Sequence, residues 1–357
     1  MLLQNTIHDI QPVNRELYAC AQAALNQLTK PVGSLGRLED LASQYVAITQ
    51  LLPPTVPAAL VFTLAADHGV AEEGVSAYPS SVTAQMVENF IKGGAAINVL
   101  ARQVGAKVRV VDLGVQCDLS HLPGLMVRKV GKGTKNFLMG PAMSRVEAVQ
   151  SIESGIRLIM DAYAEGIRLV GLGEMGIGNT TASSAITAVM TGRPVAEVTG
   201  YGTGVDAKTL TRKIQVIEQG IILHCPDPLN PLDVLAKVGG FEIGGLVGMI
   251  LGGAACRMPV VLDGFITAAA ALLATALAPQ CQAYMIPSHV SAEPGHRLVM
   301  DFLGFRPLLD LDLRLGEGTG ACLGIGLLQS SLACLTQMAT FKSAGVDEAV
   351  GPSPEMI

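Results

Sequence analysis

The sequence contains no tryptophan, and only 15% of its 357 residues are charged. Half of the residues are hydrophobic, so the core must be built from Ala, Val, Leu, Ile and Met. The length exceeds that of most single domains and predicts a large domain with a smaller one. The 40 glycines cluster, which indicates that the backbone approaches something closely.

Long basic runs are also missing, and the net charge is −6. This balance argues against nucleic acid as the main partner. The N-terminus lacks a basic segment followed by an apolar core, so no signal peptide is predicted. The seven cysteines form no CxxC pair and accompany no His cluster, which predicts reduced thiols in the cytoplasm rather than disulfides or a metal site.

Two long apolar segments, residues 258–278 and 318–338, imitate membrane spans. The first carries Asp263 near its middle, and the second contains Gln and Ser. Both are rich in Ala and Gly rather than Leu and Ile. Buried helices of a large α/β protein are therefore predicted, with a membrane protein as a remote alternative.

Short apolar runs rich in β-branched residues alternate with helical patterns such as residues 82–105 and 145–166. Continuous apolar strands separated by helices predict an α/β fold in three layers, with a doubly wound, mostly parallel sheet. The predicted strands are 58–69, 107–115, 167–176, 258–265, 282–289 and 310–318.

The predicted large α/β domain spans residues 58–327. Residues 1–57 lack a strand signal, and we expect them to form a smaller helical domain together with residues 328–357. The last stretch, residues 343–357, is predicted to be loose.

Nearly every predicted strand ends in a polar residue or a Gly cluster. Ligands of open parallel sheets bind outside the carboxyl ends of the strands. A single acid at such a place is usually a turn or a helix cap, but several together favour a common site. The predicted strand-end residues are Asp67, Glu174, Asp263, Ser288 and Glu317.

The segment GLGEMGIGNTTASSAI (171–186) runs from a predicted strand through glycines into a helix. Outward-facing backbone N–H groups and a helix N-terminus suit a phosphate. No GK[ST] follows, and the spacing departs from GxGxxG, so a monophosphate fits better than a nucleoside triphosphate or dinucleotide. The alternative is an ordinary strand-to-helix turn.

A second Gly-rich loop begins at residue 200 and leads into a helix that holds three cations. A cation close to a glycine loop could neutralise the same phosphate. Lys208 and Arg212 are predicted to be solvated helix charges, and Lys213 is the candidate phosphate ligand.

Eight motifs, which follow one another in order over nearly the whole chain, resemble the signatures of the nicotinate-nucleotide–dimethylbenzimidazole phosphoribosyltransferases. They are KPVGSLGRLE (30–39), AADHGV (65–70), YPSSVTAQM (78–86), GEMGIGNTT (173–181), KVGGFEIGG (237–245), LDGFITAAAA (262–271), IPSHVSAE (286–293) and RLGEGTGA (314–321).

The resemblance implies transfer of ribose 5-phosphate from nicotinate mononucleotide to a lower-ligand base of cobamides. The anomeric carbon inverts from β to α, and nicotinate is released. The resemblance also implies a small helical domain made from both termini, a dimer, and neither metal nor cofactor.

The resemblance assigns roles residue by residue. Glu317 matches the general base, which takes the proton from the attacking benzimidazole, and an apolar pocket would raise its basicity. Glu174 would be a second essential acid near the ribose or the base. Whether His68 is structural or catalytic stays open. Phosphate and ribose would be held by Gly176, Gly178, Asn179, Thr180, Lys213, Asp263 and Ser291, and the acceptor pocket would be lined by Tyr78, Met86, Met175 and Leu315.

The acceptor itself stays open. Some members have Ser, Gln and Leu where this chain has Tyr78, Met86 and Met175, so the pocket here is more apolar and a phenol or p-cresol is an alternative to a benzimidazole. Certain relatives that use phenols work as heterodimers of two paralogues, so the choice between homodimer and heterodimer stays open. Two rival functions are considered. The chain could be a catalytically weak paralogue that stabilises a dimer partner, or it could be an NAD-dependent oxidoreductase. The glycine spacing argues against the oxidoreductase.

Overall fold

Residues 1–347, the part of the chain that the computed structural model describes, are built around one parallel sheet of six strands. In chain order the strands are β1 (Ala59–Ala66), β2 (Lys107–Gly114), β3 (Met126–Val127), β4 (Leu169–Met175), β5 (Val260–Leu262) and β6 (Met285–Pro287). Their order across the sheet is β3-β2-β1-β4-β5-β6, and every neighbouring pair is parallel. A separate parallel ladder pairs β7 (His289–Val290) with β8 (Leu309–Asp310).

Helices cover the sheet. They are α1 (Leu2–Asp9), α2 (Arg15–Asn26), α3 (Arg37–Thr49), α4 (Ser81–Lys92), α5 (Ala96–Gln103), α6 (Arg145–Ala164), α7 (Asn179–Thr191), α8 (Val195–Val198), α9 (Ala207–His224), α10 (Pro231–Val238), α11 (Phe241–Ala255), α12 (Phe265–Leu277), α13 (Pro294–Phe302), α14 (Thr319–Gln337) and α15 (Phe341–Ala344). Two short 3-10 helices span Gly69–Glu73 and Pro279–Tyr284.

The central strand β1 is buried on both faces, because its side chains point alternately to opposite sides of the sheet. Leu60, Phe62 and Leu64 join the apolar core that contains α6, α11 and α12. Val61 and Ala65 join the core on the other face, with residues of α3, α5 and α14. The predicted three-layer, doubly wound α/β fold is therefore confirmed.

Glycines bring α6 and α11 into backbone contact. A Cβ added at Gly155 would lie 1.9 Å from the carbonyl oxygen of Gly245, and one at Gly248 would lie 1.9 Å from that of Ile152. No side chain fits at such a distance. Part of the high glycine content thus serves helix packing against the sheet rather than approach to a ligand.

The predicted strand 310–318 is wrong in most of its length. Only Leu309–Asp310 is extended and paired, and the chain then turns. Asp312 and residues 316–318 have positive φ values between 54° and 98°, which no strand can accommodate. Glu317 therefore follows a turn and precedes α14, instead of ending a strand.

The predicted helical pattern 82–105 forms two helices rather than one. Gly93, with φ 79°, ends α4 in a left-handed cap, and α5 begins after Ala95. The pattern 145–166 corresponds to the single helix α6.

Helices from both termini pack together beside the sheet, because α3 contacts both α2 and α14. In contrast, α1 packs on α6 and α11, on the opposite face. The boundary predicted at 327/328 falls within α14, and residues 348–357 of the predicted small domain and loose tail lie outside the described residues. The division into two domains stays a prediction.

Both apolar segments that imitate membrane spans contain buried helices. The segment 258–278 comprises β5 and α12, and ten residues of α12 are buried. In the described part of the chain, α14 alone is long and apolar enough to cross a membrane, but 56% of its most apolar window is buried inside the protein. Since core helices meet the same criteria, this feature is weak evidence for a membrane span.

The strand order reverses between β1 and β4. Connections from these two strands leave in opposite directions, which opens a crevice at their carboxyl ends. His68 follows β1, and Glu174 lies near the end of β4.

Candidate active site

A cavity of about 520 Å³ opens at the carboxyl ends of β4 and β5. Tyr78 and five further segments contribute to its wall: residues 174–180, 202–203, 264–266, 289–293 and 312–316. Its volume lies within the range of about 300–1,000 Å³ that is typical of small-molecule sites.

Eight of the predicted site residues line this cavity: Tyr78, Glu174, Met175, Gly176, Asn179, Thr180, Ser291 and Leu315. The other five, Met86, Gly178, Lys213, Asp263 and Glu317, are not part of the lining. Of the predicted strand-end residues, only Glu174 lines the cavity. Asp67 instead accepts a hydrogen bond from the backbone N–H of Gln116, 2.7 Å from its Oδ2, and Ser288 is fully buried.

The N-terminus of α7 faces the cavity without a side-chain cap. Gly178 occupies the N-cap position with φ 97°, a conformation that favours glycine. The side chain of Asn179 donates to Oε2 of Glu174 instead of capping the helix. Because no side chain caps its first turn, the positive end of α7 is suited to bind an anionic ligand.

Lys213 supports this helix end from behind. Its side chain is 1% exposed, and Nζ donates to Oγ1 of Thr180 at 2.9 Å and to the carbonyl of Gly200 at 3.4 Å. Burial lowers the pKa of Lys213 to about 8, although the nearby carboxylate of Glu293 opposes the shift. By contrast, Lys208 and Arg212 are exposed on α9, although Arg212 pairs with Glu73, whose Oε2 lies 2.6 Å from Nη2.

Glu174 is buried in a concentration of acids. Burial raises the pKa of its carboxyl to about 8, and the charges of Asp263, Glu242 and Glu317 act in the same direction. The hydrogen bond from Asn179 opposes the rise. At neutral pH Glu174 is therefore largely protonated and can donate a hydrogen bond as well as accept one.

This raised pKa predicts a pH-dependent difference in stability between Glu174→Gln and the wild type. The folded state holds the proton more tightly than the unfolded state, whose pKa is near 4.5, so stability is lost as the pH rises towards about 8. Gln carries no such charge. The free energy of unfolding of the variant, measured with urea, should exceed that of the wild type by more at pH 8 than at pH 5. Parallel pH profiles for the two proteins would contradict the prediction.

Asp263 caps α14 instead of lining the cavity. Its carboxylate accepts from the backbone N–H groups of Gly318 at 3.0 Å, Gly320 at 2.7 Å and Ala321 at 3.2 Å. Burial nevertheless raises the pKa of Asp263 to about 7. The contacts assign Asp263 to holding the start of α14 against β5.

Glu317 lies directly behind the cavity wall, next to Gly316. It is 5% exposed and has φ 64°, and its carbonyl accepts from Oγ1 of Thr63 at 3.0 Å. Oε2 of its carboxylate is buried and has no hydrogen-bond partner among the described residues. Burial raises the pKa of Glu317, against the opposing backbone N–H of Ile97.

The predicted apolar pocket residues separate into two groups. Met86 and Met175 both pack against the apolar core on the α14 side of the sheet. Tyr78 and Leu315 are more than half exposed and line the open cavity. Met175 contributes to both the core and the cavity, so it connects the two groups.

Sequence reasoning missed several cavity residues in loops and in the short strand β7. Glu293 accepts from the backbone N–H of Gly202 at 2.8 Å, and its Oε2 is buried without a partner among the described residues. Arg314 and His289 also line the wall. Glu293 lies within the motif IPSHVSAE and Arg314 within RLGEGTGA, so the position of both residues in these motifs could have marked them as site residues.

The protein's potential metal ligands are dispersed. Within residues 1–347, no group of three or more His, Cys, Asp or Glu side chains is arranged to hold a metal ion. All seven cysteines carry free thiols.

A phosphoribosyltransferase family model matches residues 10–346 of this chain. The chain belongs to this phosphoribosyltransferase family. The resemblance drawn from the eight motifs is thereby confirmed, and the protein is an enzyme of the pentosyltransferase class.

Relatives of this phosphoribosyltransferase share more than half of its residues. The nicotinate-nucleotide–dimethylbenzimidazole phosphoribosyltransferase of Geotalea uraniireducens (strain Rf4) is 56% identical over 97% of this chain and 99% of the relative. The protein of the same name from Roseiflexus sp. (strain RS-1) is 57% identical over 97% and 98%. The crystal structure of the protein of that name from Thermus thermophilus superposes with a TM-score of 0.88 at 45% identity, over 94% of this chain and all of that one.

Proposed function

We propose that this phosphoribosyltransferase moves ribose 5-phosphate from nicotinate mononucleotide to an aromatic lower-ligand base of cobamides, with 5,6-dimethylbenzimidazole as the first candidate. The products are the α-riboside 5′-phosphate and nicotinate. The observation that carries the proposal is the buried, unpartnered carboxylate oxygen of Glu317 next to a cavity with an uncapped helix N-terminus. The names of the relatives support the same substrates.

The substrate phosphate is proposed to bind at the start of α7. The dipole of α7 favours a dianion there, and Lys213 adds a positive charge. The N–H groups of Ile177 and Asn179 already donate to Thr83 and Gly176, so those of Gly176, Gly178 and Thr180 are the candidate donors. Ser291, which also lines the cavity, would add a further hydrogen-bond donor. Protonated Glu174 would donate to the ribose or to the base.

The attacking benzimidazole forms a bond from one ring nitrogen to the anomeric carbon. The bond from that carbon to the nicotinate ring breaks, and its electron pair returns to the pyridine nitrogen. The other ring nitrogen of the benzimidazole then carries an acidic proton. Glu317 would accept this proton, and its burial makes the carboxylate a stronger base than it would be in water.

The apolar walls at Met175 and Leu315 suit any flat aromatic acceptor. A phenol or p-cresol would need only one proton removed from its hydroxyl, so Glu317 could serve it in the same role. We expect benzimidazoles and phenols to differ in KM rather than in reaction type. We also propose that the enzyme is a dimer, either of two copies of this chain or of this chain with a paralogue. Its proposed location is the cytoplasm.

Incubation of the purified chain with nicotinate mononucleotide and an acceptor panel tests the proposal. The panel comprises 5,6-dimethylbenzimidazole, adenine, phenol and p-cresol. We expect nicotinate and an α-ribosylated product in equal amounts with dimethylbenzimidazole, followed by liquid chromatography. Release of nicotinate without ribosylated product, or hydride transfer to added NAD, would contradict the proposal. Turnover that requires an added paralogue would indicate the partner-stabilising role.

A further inference from the structure

Two sequence motifs without an assigned role meet inside the protein. His68 of AADHGV and Glu242 of KVGGFEIGG form a buried pair, with Nε2 and Oε1 2.6 Å apart. Their side chains are 1% and 0% exposed. Neither residue lines the cavity.

The His68 ring packs against the backbone of the glycine loop that precedes α7. A Cβ added at Gly176 would lie 3.3 Å from Cδ2 of His68, and one at Gly178 would lie 3.2 Å from Cβ of His68. The loop therefore rests on this side chain. A shift of the ring would therefore reach Gly176, which lines the cavity.

The opposite side of the ring is equally confined. A Cβ added at Gly240 would lie 2.4 Å from Cε1 of His68. Glu242 sits in the first turn of α11, where the helix dipole favours a carboxylate. The ring is thus wedged between the N-terminus of α11 and the glycine loop.

Within residues 1–347, each of these two side chains has the other as its only hydrogen-bond partner. Nδ1 of His68 and Oε2 of Glu242 are both buried and unpaired. Loss of either residue would leave the other polar group buried without compensation, so the pair resists rearrangement.

We propose that the His68–Glu242 pair positions the 176–178 loop for the 5′-phosphate of the nucleotide substrate. Both are positioning residues, because they act through the loop and touch no substrate. The inference rests on the proposed function. It predicts a selective defect in nucleotide binding, since a misplacement of about 1 Å can cost as much as ~10²-fold.

The test compares His68→Ala, His68→Gln and Glu242→Gln with the wild type. For His68→Ala we expect the KM for nicotinate mononucleotide to rise about 10- to 100-fold. The KM for dimethylbenzimidazole should stay within about twofold, because the proposed acceptor walls at Met175 and Leu315 lie outside residues 176–178. Glu242→Gln keeps an acceptor for the Nε2 proton, so its KM should rise less than that of His68→Ala.

A buried ion pair elsewhere in the chain provides the control. Nζ of Lys30 and Oε1 of Glu39 are 2.7 Å apart, their side chains are 6% and 4% exposed, and neither lines the cavity. Glu39→Gln should lower Tm without changing the KM for the nucleotide. A purely structural role for His68–Glu242 predicts the same behaviour, with a lower Tm and both KM values unchanged.

An unchanged nucleotide KM in folded His68→Ala overturns the inference. If His68→Ala does not fold, an unchanged nucleotide KM in His68→Gln overturns the inference. The inhibition constant of inorganic phosphate gives a second readout and should rise with the nucleotide KM. Absence of turnover in the wild-type enzyme would overturn the proposed function instead. Calorimetric measurement of phosphate binding to the wild type and to the His68 variants would still test whether the His68–Glu242 pair positions the loop.

Discussion

Glu317→Gln is expected to lower kcat by about 10²- to 10⁴-fold, the range that general-base catalysis contributes. Gln keeps the shape of the side chain but cannot accept the proton of the attacking acceptor. The KM for nicotinate mononucleotide should change little, because Glu317 is not part of the cavity lining, whereas Asn179 and Thr180 at the start of α7 are. Steady-state kinetics with both substrates varied would measure the two parameters separately.

Stability distinguishes this loss from misfolding. Burial raises the pKa of Glu317, so its charged form is disfavoured in the fold, and a neutral Gln removes that cost. The Tm of Glu317→Gln should therefore equal or exceed that of the wild type. Glu218→Gln makes the same chemical change at an exposed position of α9 and should leave kcat unchanged. A kcat of Glu317→Gln within about threefold of the wild type would exclude Glu317 as the base.

Lys213→Met should have the second-largest effect, chiefly on nucleotide binding. Truncating one partner of a buried charge pair costs about 2–5 kcal/mol. That range corresponds to roughly a 30- to several-thousand-fold loss in kcat/KM for nicotinate mononucleotide. Met retains most of the volume, so the helix packing around this position should persist.

The matched control lies on the same helix. Lys208→Met also removes one positive charge from α9, but Lys208 is exposed and salt-screened. Its kcat/KM should remain within about twofold of the wild type. Equal losses in the two variants would indicate a general effect of net charge, and the specific role of Lys213 at the phosphate would then be wrong.

Lys213→Met is also informative about stability. Burial lowers the pKa of Lys213 to about 8, so the charged amine is disfavoured in the fold. An apolar side chain at this position should not reduce Tm. A cation buried in this way is typical of a functional site, where a ligand anion offsets the cost of burial.

The sheet could be predicted from the sequence because its signals are local. Continuous apolar runs such as β1 and β4 are typical of strands buried on both faces, and the helices between them force a parallel arrangement. The glycine loop before α7 could be predicted for the same reason: residues 171–186 contain the strand, the glycines and the helix start in one stretch.

The strand predicted at residues 310–318 was wrong because apolar and charged residues alternate there as they do in a half-buried strand. The alternation there has no partner strand beyond Asp310, and positive φ values at Asp312 and 316–318 turn the chain. Periodicity records which residues would face a core. It does not record whether a neighbouring strand supplies the hydrogen bonds.

The resemblance selected the site residues, but only the tertiary structure decided which of them reach the cavity. Glu174 near the end of β4 and Asp263 just after β5 were both predicted at strand ends, yet Asp263 caps α14 and Glu174 lines the wall. The contact between His68 and Glu242 joins residues 174 positions apart. Local sequence determines strands, helices and turns through short-range sterics and burial. Pairing of distant side chains depends on how the strand order and helix packing place them, and that is set by the whole chain at once.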